Sequence, residues 1–421
     1  MKTGQNGDIL GAVIEEAVKM LCQFSFQNFK SYREETVFDL QATAIPEFRD
    51  SLITSDNCSD LLPVSVIYGP NGGGKTNLIR ALSSLITTVV KPIHELGSTR
   101  KRIIMHQKVD AEPFLFDAIS RERPTEFEIF FRTNEYEYRY YLAVLKDVIS
   151  AETLDRKTIG GKKPAHIFYR EGGEITLGKI LSKENVNTKV NEKMPFLSFL
   201  AINYRIPVIA QAQEWFESCI IRNYANPIAE MQIMVSEDEK TKKQIILLLN
   251  EMGIDIEDYR YDDREEQLYM IRTIGGEKFE LPFDHESDGT RKLIAALPVF
   301  LVALMEGRLV VIDELDAKLH PKLLRYAILM FKNRKVNKHG AQLLFTSHDI
   351  ATMKNTVFRR DEIWFAALNE KHCSEIYSLY EIRREDNERV NSTAAFDKQY
   401  LEGRYGADPY LQNMLSGGEW I

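Results

Sequence analysis

Residues 63–76 read PVSVIYGPNGGGKT, and they carry the strongest signal of fold class in the sequence. The compact apolar run at residues 63–68 predicts a buried parallel strand that ends at a glycine. Residues 69–76 then fit the pattern G-x-x-x-x-G-K-[ST] in full, and helical spacing follows at residues 77–90. Strand, glycine-rich loop and helix in this order form a phosphate cradle, because backbone N–H groups and the helix N-terminus face the anion. The stretch therefore predicts a nucleotide-binding α/β domain.

The phosphate loop assigns chemistry to particular side chains. Lys75 is expected to bridge β- and γ-phosphate oxygens, and Thr76 to bind Mg²⁺ through its hydroxyl. The remaining contacts to the phosphates are expected from Gly69, Asn71, Gly72, Gly73, Gly74 and Asn77. ATP and Mg²⁺ are therefore the expected cofactors.

A second apolar strand ends in two acids. Residues 309–314 read LVVIDE, and ligands of an open α/β sheet lie at the carboxyl ends of its strands. Asp313 would complete the Mg²⁺ site beside Thr76, and Glu314 would act as general base on the attacking water. The pair alone would also fit a helix cap after a strand. The phosphate loop upstream favours the catalytic interpretation.

Two further segments follow in an informative order. Residues 286–292, ESDGTRK, precede an apolar helix at 293–305, so Ser287 and Gly289 would form a second anion cradle. Residues 341–347 predict another buried strand, and His348 at its end can hydrogen-bond a γ-phosphate. Each feature alone is also explained structurally, as an N-cap or a strand-end histidine. One γ-phosphate does not need two such cradles, unless the second binds the nucleotide of a neighbouring molecule.

The order of these motifs resembles the ABC-type ATPase heads of the SMC and RecF-like group. Residues 28–32, NFKSY, resemble the group's N-terminal strand motif. The resemblance implies that Ser287 and Gly289 belong to the signature loop, Asp316 is the D-loop acid and His348 the switch histidine. In this group, two heads enclose two ATPs, and each signature loop caps the partner's nucleotide.

Two positions depart from the group's pattern or match it weakly. Ser-Asp-Gly-Thr stands at residues 287–290, where Ser-Gly-Gly-Gln is usual, which leaves the roles of Asp288 and Thr290 open. A Q-loop glutamine should follow the phosphate loop as a metal ligand. Gln107 is the candidate, and an ordinary surface glutamine is an equal alternative.

A closer resemblance connects residues 286–290, 313–321 and 345–349 with standalone ATPases of bacterial anti-phage and abortive-infection operons, the RloA-like and AriA-like (PARIS) proteins. Residues 403–407, GRYGA, resemble a motif near the end of RloA-like chains. The resemblance implies a slow ATPase that assembles as a head-to-tail dimer or higher oligomer. It also implies a separately encoded effector, often a nuclease, as a partner.

The expected architecture is an α/β ABC-ATPase head with a mixed central sheet, an antiparallel β subdomain and a helical insertion. A leading helix is predicted at residues 8–21, and aromatic and branched residues at 125–131 and 136–145 predict an antiparallel hairpin. Four divisions follow: an N-terminal ATPase lobe with the antiparallel subdomain (1–180), a helical insertion (181–265), a C-terminal ATPase lobe (266–383) and a tail (384–421).

Composition excludes several other classes. With 44% hydrophobic and 28% charged residues and a net charge of −8, the chain is globular, and only local basic runs could contact nucleic acid. Two such runs occur, at residues 100–102 and 332–335, and each is also explained as a solvated face. The four cysteines, Cys22, Cys58, Cys219 and Cys373, form no CxxC pair. The longest apolar run is too short to span a membrane, so a cytoplasmic protein without a membrane partner is expected.

Length limits the function further. Residues 77–288 lack the sustained heptads of a chromosome-scale tether. Too few residues follow Tyr380 for a Toprim nuclease domain, so we expect no nuclease activity in this chain. Three functions stay open: an ATPase switch that controls an effector, a RecF-like DNA-repair ATPase, and a scaffold that ATP assembles without turnover.

Overall fold

The computed structural model describes residues 19–55, 57–97, 111–224, 239–262, 264–383 and 387–407. Its strands are β1 (Lys19–Gln27), β2 (Thr36–Asp39), β3 (Val64–Tyr68), β4 (Thr125–Thr133), β5 (Tyr136–Leu145), β6 (Val148–Thr158), β7 (Ala165–Glu171), β8 (Glu174–Leu177), β9 (Ile220–Asn223), β10 (Asp258–Asp262), β11 (Gln267–Ile274), β12 (Glu277–Pro282), β13 (Leu309–Asp313), β14 (Gln342–Thr346), β15 (Ile363–Leu368) and β16 (Ser374–Ser378). Its helices are α1 (Lys75–Gly97), α2 (Ala118–Arg121), α3 (Phe196–Asn203), α4 (Pro207–Ser218), α5 (Glu239–Glu251), α6 (Asp288–Glu306), α7 (Pro321–Lys332) and α8 (Phe396–Leu401).

The central sheet has the strand order β16-β15-β3-β14-β13-β9. Neighbouring strands from β15 to β9 pair in parallel, and β16 joins antiparallel at one edge. Every residue of β3, β13 and β14 is buried, which explains why these strands are continuous apolar runs. Because parallel strands end at the same edge of a sheet, the loops after β3, β13 and β14 meet there.

Both faces of the central sheet are covered. Side chains alternate between the faces along a strand. From β3, Val66 and Tyr68 join a core with α6 and α7, whereas Ile67 joins a second core with α1, α3 and α4. This second core also contains the buried face of an antiparallel sheet. The expected α/β class, with mixed and antiparallel sheets, is confirmed.

The antiparallel sheet has seven strands in the order β2-β1-β4-β5-β6-β7-β8. The predicted hairpin is confirmed as the β4–β5 pair, with Asn134 in the left-handed region at its turn. Glu152 of β6 fixes α3 on this sheet. Its carboxylate accepts the N–H groups of Phe196 (2.6 Å) and Leu197 (3.0 Å) at the start of the helix.

Residues 181–265, predicted as a helical insertion, contribute strands as well as helices. Strand β9 follows α4 directly and pairs in parallel with β13, and β10 opens a three-stranded antiparallel sheet, β10-β11-β12. The apolar pair Ile220 and Ile221 extends the helical spacing of α4, and so short a run fits a helix or a strand equally. The four-part division of the chain remains a proposal. In the part of the chain that the structure covers, no helix is long and apolar enough to cross a bilayer.

The two ends of the chain differ from expectation in different ways. Of the leading helix predicted at residues 8–21, residues 8–18 lie outside the described residues, and Lys19 begins β1. The tail shows no sequence period, and its described residues 387–407 form α8 and pack on the core. The rings of Tyr400 and Tyr405 lie 5.6 and 5.4 Å from the ring of Phe365 in β15, measured between centroids. Burial of these rings holds the tail against the central sheet.

Candidate nucleotide-binding site

The loop between β3 and α1 turns over the end of β15. Gly69 has φ +141°, and a Cβ at this position would lie 2.1 Å from the carbonyl oxygen of Ala366. Gly73 approaches the same oxygen, so a Cβ would clash at both positions. Lys75 begins α1, and the N–H groups of its first turn have no partners within the helix. The glycines therefore bring backbone donors close together, as an anion cradle requires.

Lys75 lies within this cradle. It is 6% exposed, and its ammonium donates to the carbonyl oxygens of Gly69 (2.8 Å) and Pro70 (3.0 Å). Burial lowers the pKa of Lys75. Three nearby carboxylates act against that shift in its pKa: Asp313, Glu314 and Asp316. The acids at the end of β13 are therefore close enough to the phosphate-loop lysine to act on its pKa.

The N-terminal motif at residues 28–32 holds the phosphate loop through hydrogen bonds. The hydroxyl of Tyr32, a fully buried side chain, donates to the carbonyl oxygen of Gly74 (3.2 Å). The amide of Asn77 and the hydroxyl of Ser374 both donate to the Ser31 hydroxyl oxygen, each at 2.8 Å. The motif thus joins the phosphate loop, the first turn of α1 and β16.

The two acids after β13 are held by the neighbouring strand. The Thr346 hydroxyl at the end of β14 donates to Asp313 Oδ1 (2.6 Å) and accepts the N–H of Glu314 (2.7 Å). Asp313 is buried and Glu314 is exposed, with Glu314 in the left-handed region at φ +52°. A non-glycine residue in this region marks a constrained turn. The turn therefore leaves the Asp313 carboxylate buried beside Thr346 and the Glu314 side chain exposed.

Residues 286–292, here called the signature segment, start α6. Ser287 caps the helix, because its hydroxyl oxygen accepts the N–H of Thr290 at 3.2 Å. Gly289 lies against the turn that follows β13, where a Cβ on Gly289 would be 2.6 Å from the carbonyl oxygen of Lys318. Asp288 pairs with Lys318 (2.8 Å) and Arg291, and both pairs hold the pKa of Asp288 below its usual range. Asp288 therefore ties the segment to the turn after β13.

Lys292, the last residue of the signature segment, reaches the edge of the sheet where the loops after β3, β13 and β14 meet. Its side chain is buried, and its ammonium donates to the carbonyl oxygen of Glu314 at 2.5 Å. Burial lowers the pKa of Lys292 to about 8, against the carboxylates of Asp316 and Glu314, which raise it. One signal of this contact is visible in the sequence, a lysine directly before the apolar part of the helix.

His348, the predicted switch histidine, follows β14. The backbone N–H of His348 donates to Asp316 Oδ2 at 2.9 Å, which joins the loops after β13 and β14. The His348 side chain is exposed and lines a cavity of about 800 Å³ together with Pro70 and Asn71. Tyr400, Leu401 and Gly406 of the C-terminal segment complete one wall of this cavity, and neither Ser287 nor Gly289 lines it.

The donor set fits a magnesium ion that is bound together with a nucleotide. The Thr76 hydroxyl and the Asp313 carboxylate are hard oxygen ligands, and Mg²⁺ commonly combines one or two such side chains with phosphate oxygens. Among the residues described by the structure, no group of three or more His, Cys, Asp or Glu side chains could hold a metal ion. The remaining predicted ligand, Gln107, lies outside the described residues.

The basic run at residues 332–335 is solvated only in part, because Lys335 is exposed and Lys332 is buried. Lys332 in the run at 332–335 has a buried side chain, and its ammonium pairs with the buried carboxylate of Glu362 at 2.5 Å. It also lies over the ring of Phe48, 4.3 Å from its centroid. Lys332 is therefore part of the core and cannot contact a phosphate backbone. The other run, residues 100–102, lies outside the described residues.

The fold and the phosphate loop define a P-loop ATPase of the mixed α/β kind. The chain belongs to the family described as "AAA domain, putative AbiEii toxin, Type IV TA system", whose model matches residues 64–354. The match runs from the first residue of β3 to six residues beyond His348. No curated protein matches the chain.

Three solved structures of SMC heads are similar to the chain. The SMC head domain from Thermotoga maritima has 13% identity and a TM-score of 0.43, covering 85% of this chain and 98% of its own. An Smc head bound to the C-terminal winged-helix domain of ScpA has 13% identity and a TM-score of 0.39, covering 85% and 97%. An Smc head with an extended coiled coil, bound to the C-terminal domain of ScpA derived from Pyrococcus furiosus, has 12% identity and a TM-score of 0.40, covering 86% and 96%.

Proposed function

We propose that the chain binds ATP with Mg²⁺, hydrolyses it slowly, and serves as the ATPase subunit of an anti-phage, abortive-infection system. In this proposal it assembles around ATP and controls a separately encoded effector, such as a nuclease. One observation carries the ATPase part. Strands β3 and β13 run parallel, and the acids at the end of β13 lie close enough to Lys75 to raise its pKa, so groups for binding phosphate and for activating water share one edge of the sheet.

Each residue of this edge has a role in the proposed reaction. The N–H groups of the loop and the Lys75 ammonium stabilise charge on the phosphate oxygens. Glu314 accepts a proton from the attacking water, the new oxygen–phosphorus bond forms, and the bond to the ADP oxygen breaks. His348 donates a hydrogen bond to the γ-phosphate. Thr76 and Asp313 would hold Mg²⁺, which supplies charge neutralisation when bound.

Assembly around ATP follows from the position of the signature segment. Ser287 and Gly289 form a capped helix N-terminus, yet neither lines the cavity beside the phosphate loop of their own chain. A helix N-terminus of this kind suits an anion. We therefore infer that it caps the nucleotide of a second copy, as a head-to-tail dimer or higher oligomer would allow. Asp316 at the turn after β13 would then lie at the contact between the copies.

The effector and the anti-phage role rest on the family and on the motif resemblance. The family description names an AbiEii toxin and a type IV toxin–antitoxin system. The segments at 286–290, 313–321 and 345–349 resemble ATPases of RloA-like and AriA-like systems. A RecF-like role in DNA repair is the alternative. It is weakened because Lys332, in one of its two basic runs, is buried and paired with Glu362.

The decisive experiment is the native mass of Glu314→Gln protein, expressed with its neighbouring genes and purified in ATP and Mg²⁺. Loss of the base should trap the ATP-bound assembly and retain a second protein on it. Lys75→Ala is the matched control, because it should lose both ATP and the assembly. A bare oligomer without a second protein would contradict the effector proposal. Normal ATP turnover by Glu314→Gln would contradict the role of Glu314 as base.

The same pair of variants separates a switch from a scaffold. If ATP is needed only for assembly, Lys75→Ala should abolish protection against phage while Glu314→Gln retains it. If turnover controls the effector, both variants should change protection. The readout is the efficiency of phage plating on cells that carry the complete operon.

A further inference from the structure

A lysine that the proposed reaction does not use is buried beside its catalytic base. Lys292 is 3% exposed and is the fifth residue of α6. An ammonium group removed from water is costly unless strong acceptors surround it. Here the acceptor is the carbonyl oxygen of Glu314, at 2.5 Å, with the carboxylates of Asp316 and Glu314 nearby. The groups that stabilise the buried ammonium of Lys292 therefore all lie in one turn, the turn that carries Glu314.

This contact completes a two-sided restraint on Glu314. Thr346 accepts the Glu314 N–H at 2.7 Å, which holds the peptide plane before the residue. The Glu314 carbonyl accepts the Lys292 ammonium and, at 3.2 Å, the N–H of Ala317, and both bonds hold the peptide plane after Glu314. Two fixed planes determine φ and ψ between them. At φ +52° the backbone of Glu314 is in a region that L-residues disfavour, so it needs such restraint to stay there.

We propose that Lys292 is a positioning residue for ATP hydrolysis: it holds the turn after β13 so that the Glu314 carboxylate faces the attacking water. The proposal rests on the ATPase function proposed above. Lys292 also belongs to the same helix as Ser287 and Gly289. A nucleotide bound by the second copy would contact this helix N-terminus. Through Lys292 it would then influence Glu314 of the copy to which the helix belongs.

The test compares Lys292→Met with Lys292→Arg in the full chain. Lys292→Met keeps an unbranched apolar stem and removes the donor, and Lys292→Arg restores a cationic donor. We expect Lys292→Met to lower kcat between about 10-fold and 100-fold, as small misplacements of a catalytic group do. The KM and the Kd for a non-hydrolysable ATP analogue should stay within about twofold, because the Lys292 ammonium binds the Glu314 carbonyl and Lys292 does not line the cavity beside the phosphate loop. Lys292→Arg should recover part of kcat.

Lys242→Met is the matched control. Lys242 is also a helical lysine with a largely buried side chain, and its ammonium pairs with Asp258 at 2.6 Å, in contact with the ring of Tyr259. Its loss should affect stability and leave kcat unchanged. A fall in kcat that Lys242→Met shares would show a general structural effect and would overturn the proposal. Should Lys292→Met fail to fold, Lys292→Gln, whose amide is too short to reach the carbonyl, carries the same test.

The outcome also separates this inference from the proposed function. If Glu314→Gln abolishes turnover while Lys292→Met keeps the wild-type kcat, only the positioning role fails. If Glu314→Gln keeps the wild-type turnover, there is no base at residue 314 to position, and both proposals fail.

Discussion

The hydroxyl of Thr346 is the point at which the structure makes its sharpest prediction. Thr346→Val keeps the shape of the side chain and removes one oxygen, which donates to Asp313 and accepts the N–H of Glu314. Thr346 is fully buried, so water cannot replace either bond without rearrangement. A buried polar group left without its partner costs roughly 1–3 kcal/mol. Two such groups predict a loss of roughly 2–6 kcal/mol in the free energy of unfolding, together with a fall in kcat.

The assay is urea unfolding followed by tryptophan fluorescence, with ATP turnover measured on the same preparations. Thr346→Ser is the control, because it keeps the oxygen and loses one methyl group, at a cost of about 1 kcal/mol. Thr346→Val should therefore be the less stable and less active of the two. If Thr346→Val unfolds at the same urea concentration as Thr346→Ser and turns over ATP equally fast, the hydroxyl does not hold the two acids.

Three further predictions follow from other contacts. Gly289→Ala should weaken ATP-dependent assembly on a sizing column while leaving ATP affinity unchanged, because its Cβ would clash with the Lys318 carbonyl oxygen 2.6 Å away. Tyr405→Ala should lower the free energy of unfolding by about 3 kcal/mol through loss of its contact with Phe365, whereas Tyr405→Phe should cost about 1 kcal/mol or less; equal stability of the two would refute this packing. Lys292 has a pKa of about 8 in the fold against an unperturbed value of 10.5, so the unfolded chain binds more protons between these values. The stability of the wild type relative to Lys292→Met should therefore rise from pH 8 to pH 10, by up to roughly 3 kcal/mol, in thermal unfolding at a series of pH values.

Much of the central sheet could be predicted from sequence because its strands are short, apolar and bounded by glycine or acids. Residues 63–68, 309–313 and 341–347 contain β3, β13 and β14 to within a residue or two at each end. Strand β9 was missed. Its apolar pair follows the helix Pro207–Ser218 with the same spacing, and only pairing with β13 makes it a strand.

The tail after residue 384 illustrates a second limit of sequence patterns. Its helix Phe396–Leu401 is too short to give a periodic signal, and its aromatic residues have no obvious partner along the chain. Their partner, Phe365, lies about 35–40 residues away in sequence on β15. The tail therefore becomes a wall of the cavity beside the phosphate loop only after the chain has folded.

The sequence by itself determined the phosphate loop, the acids at the end of β13 and the order of the motifs. Local rules suffice for these features, since glycine spacing, strand burial and the position of polar residues at strand ends act over a few neighbouring residues. The tertiary structure adds two long-range contacts to Glu314, beside the local bond from the Ala317 N–H to its carbonyl oxygen. Thr346 and Lys292 lie 32 and 22 residues from it in the chain, and each acts through a hydrogen bond to its backbone. Bonds of this kind leave no local pattern, because almost any backbone can supply the N–H and the carbonyl, and only the fold brings the two side chains to them.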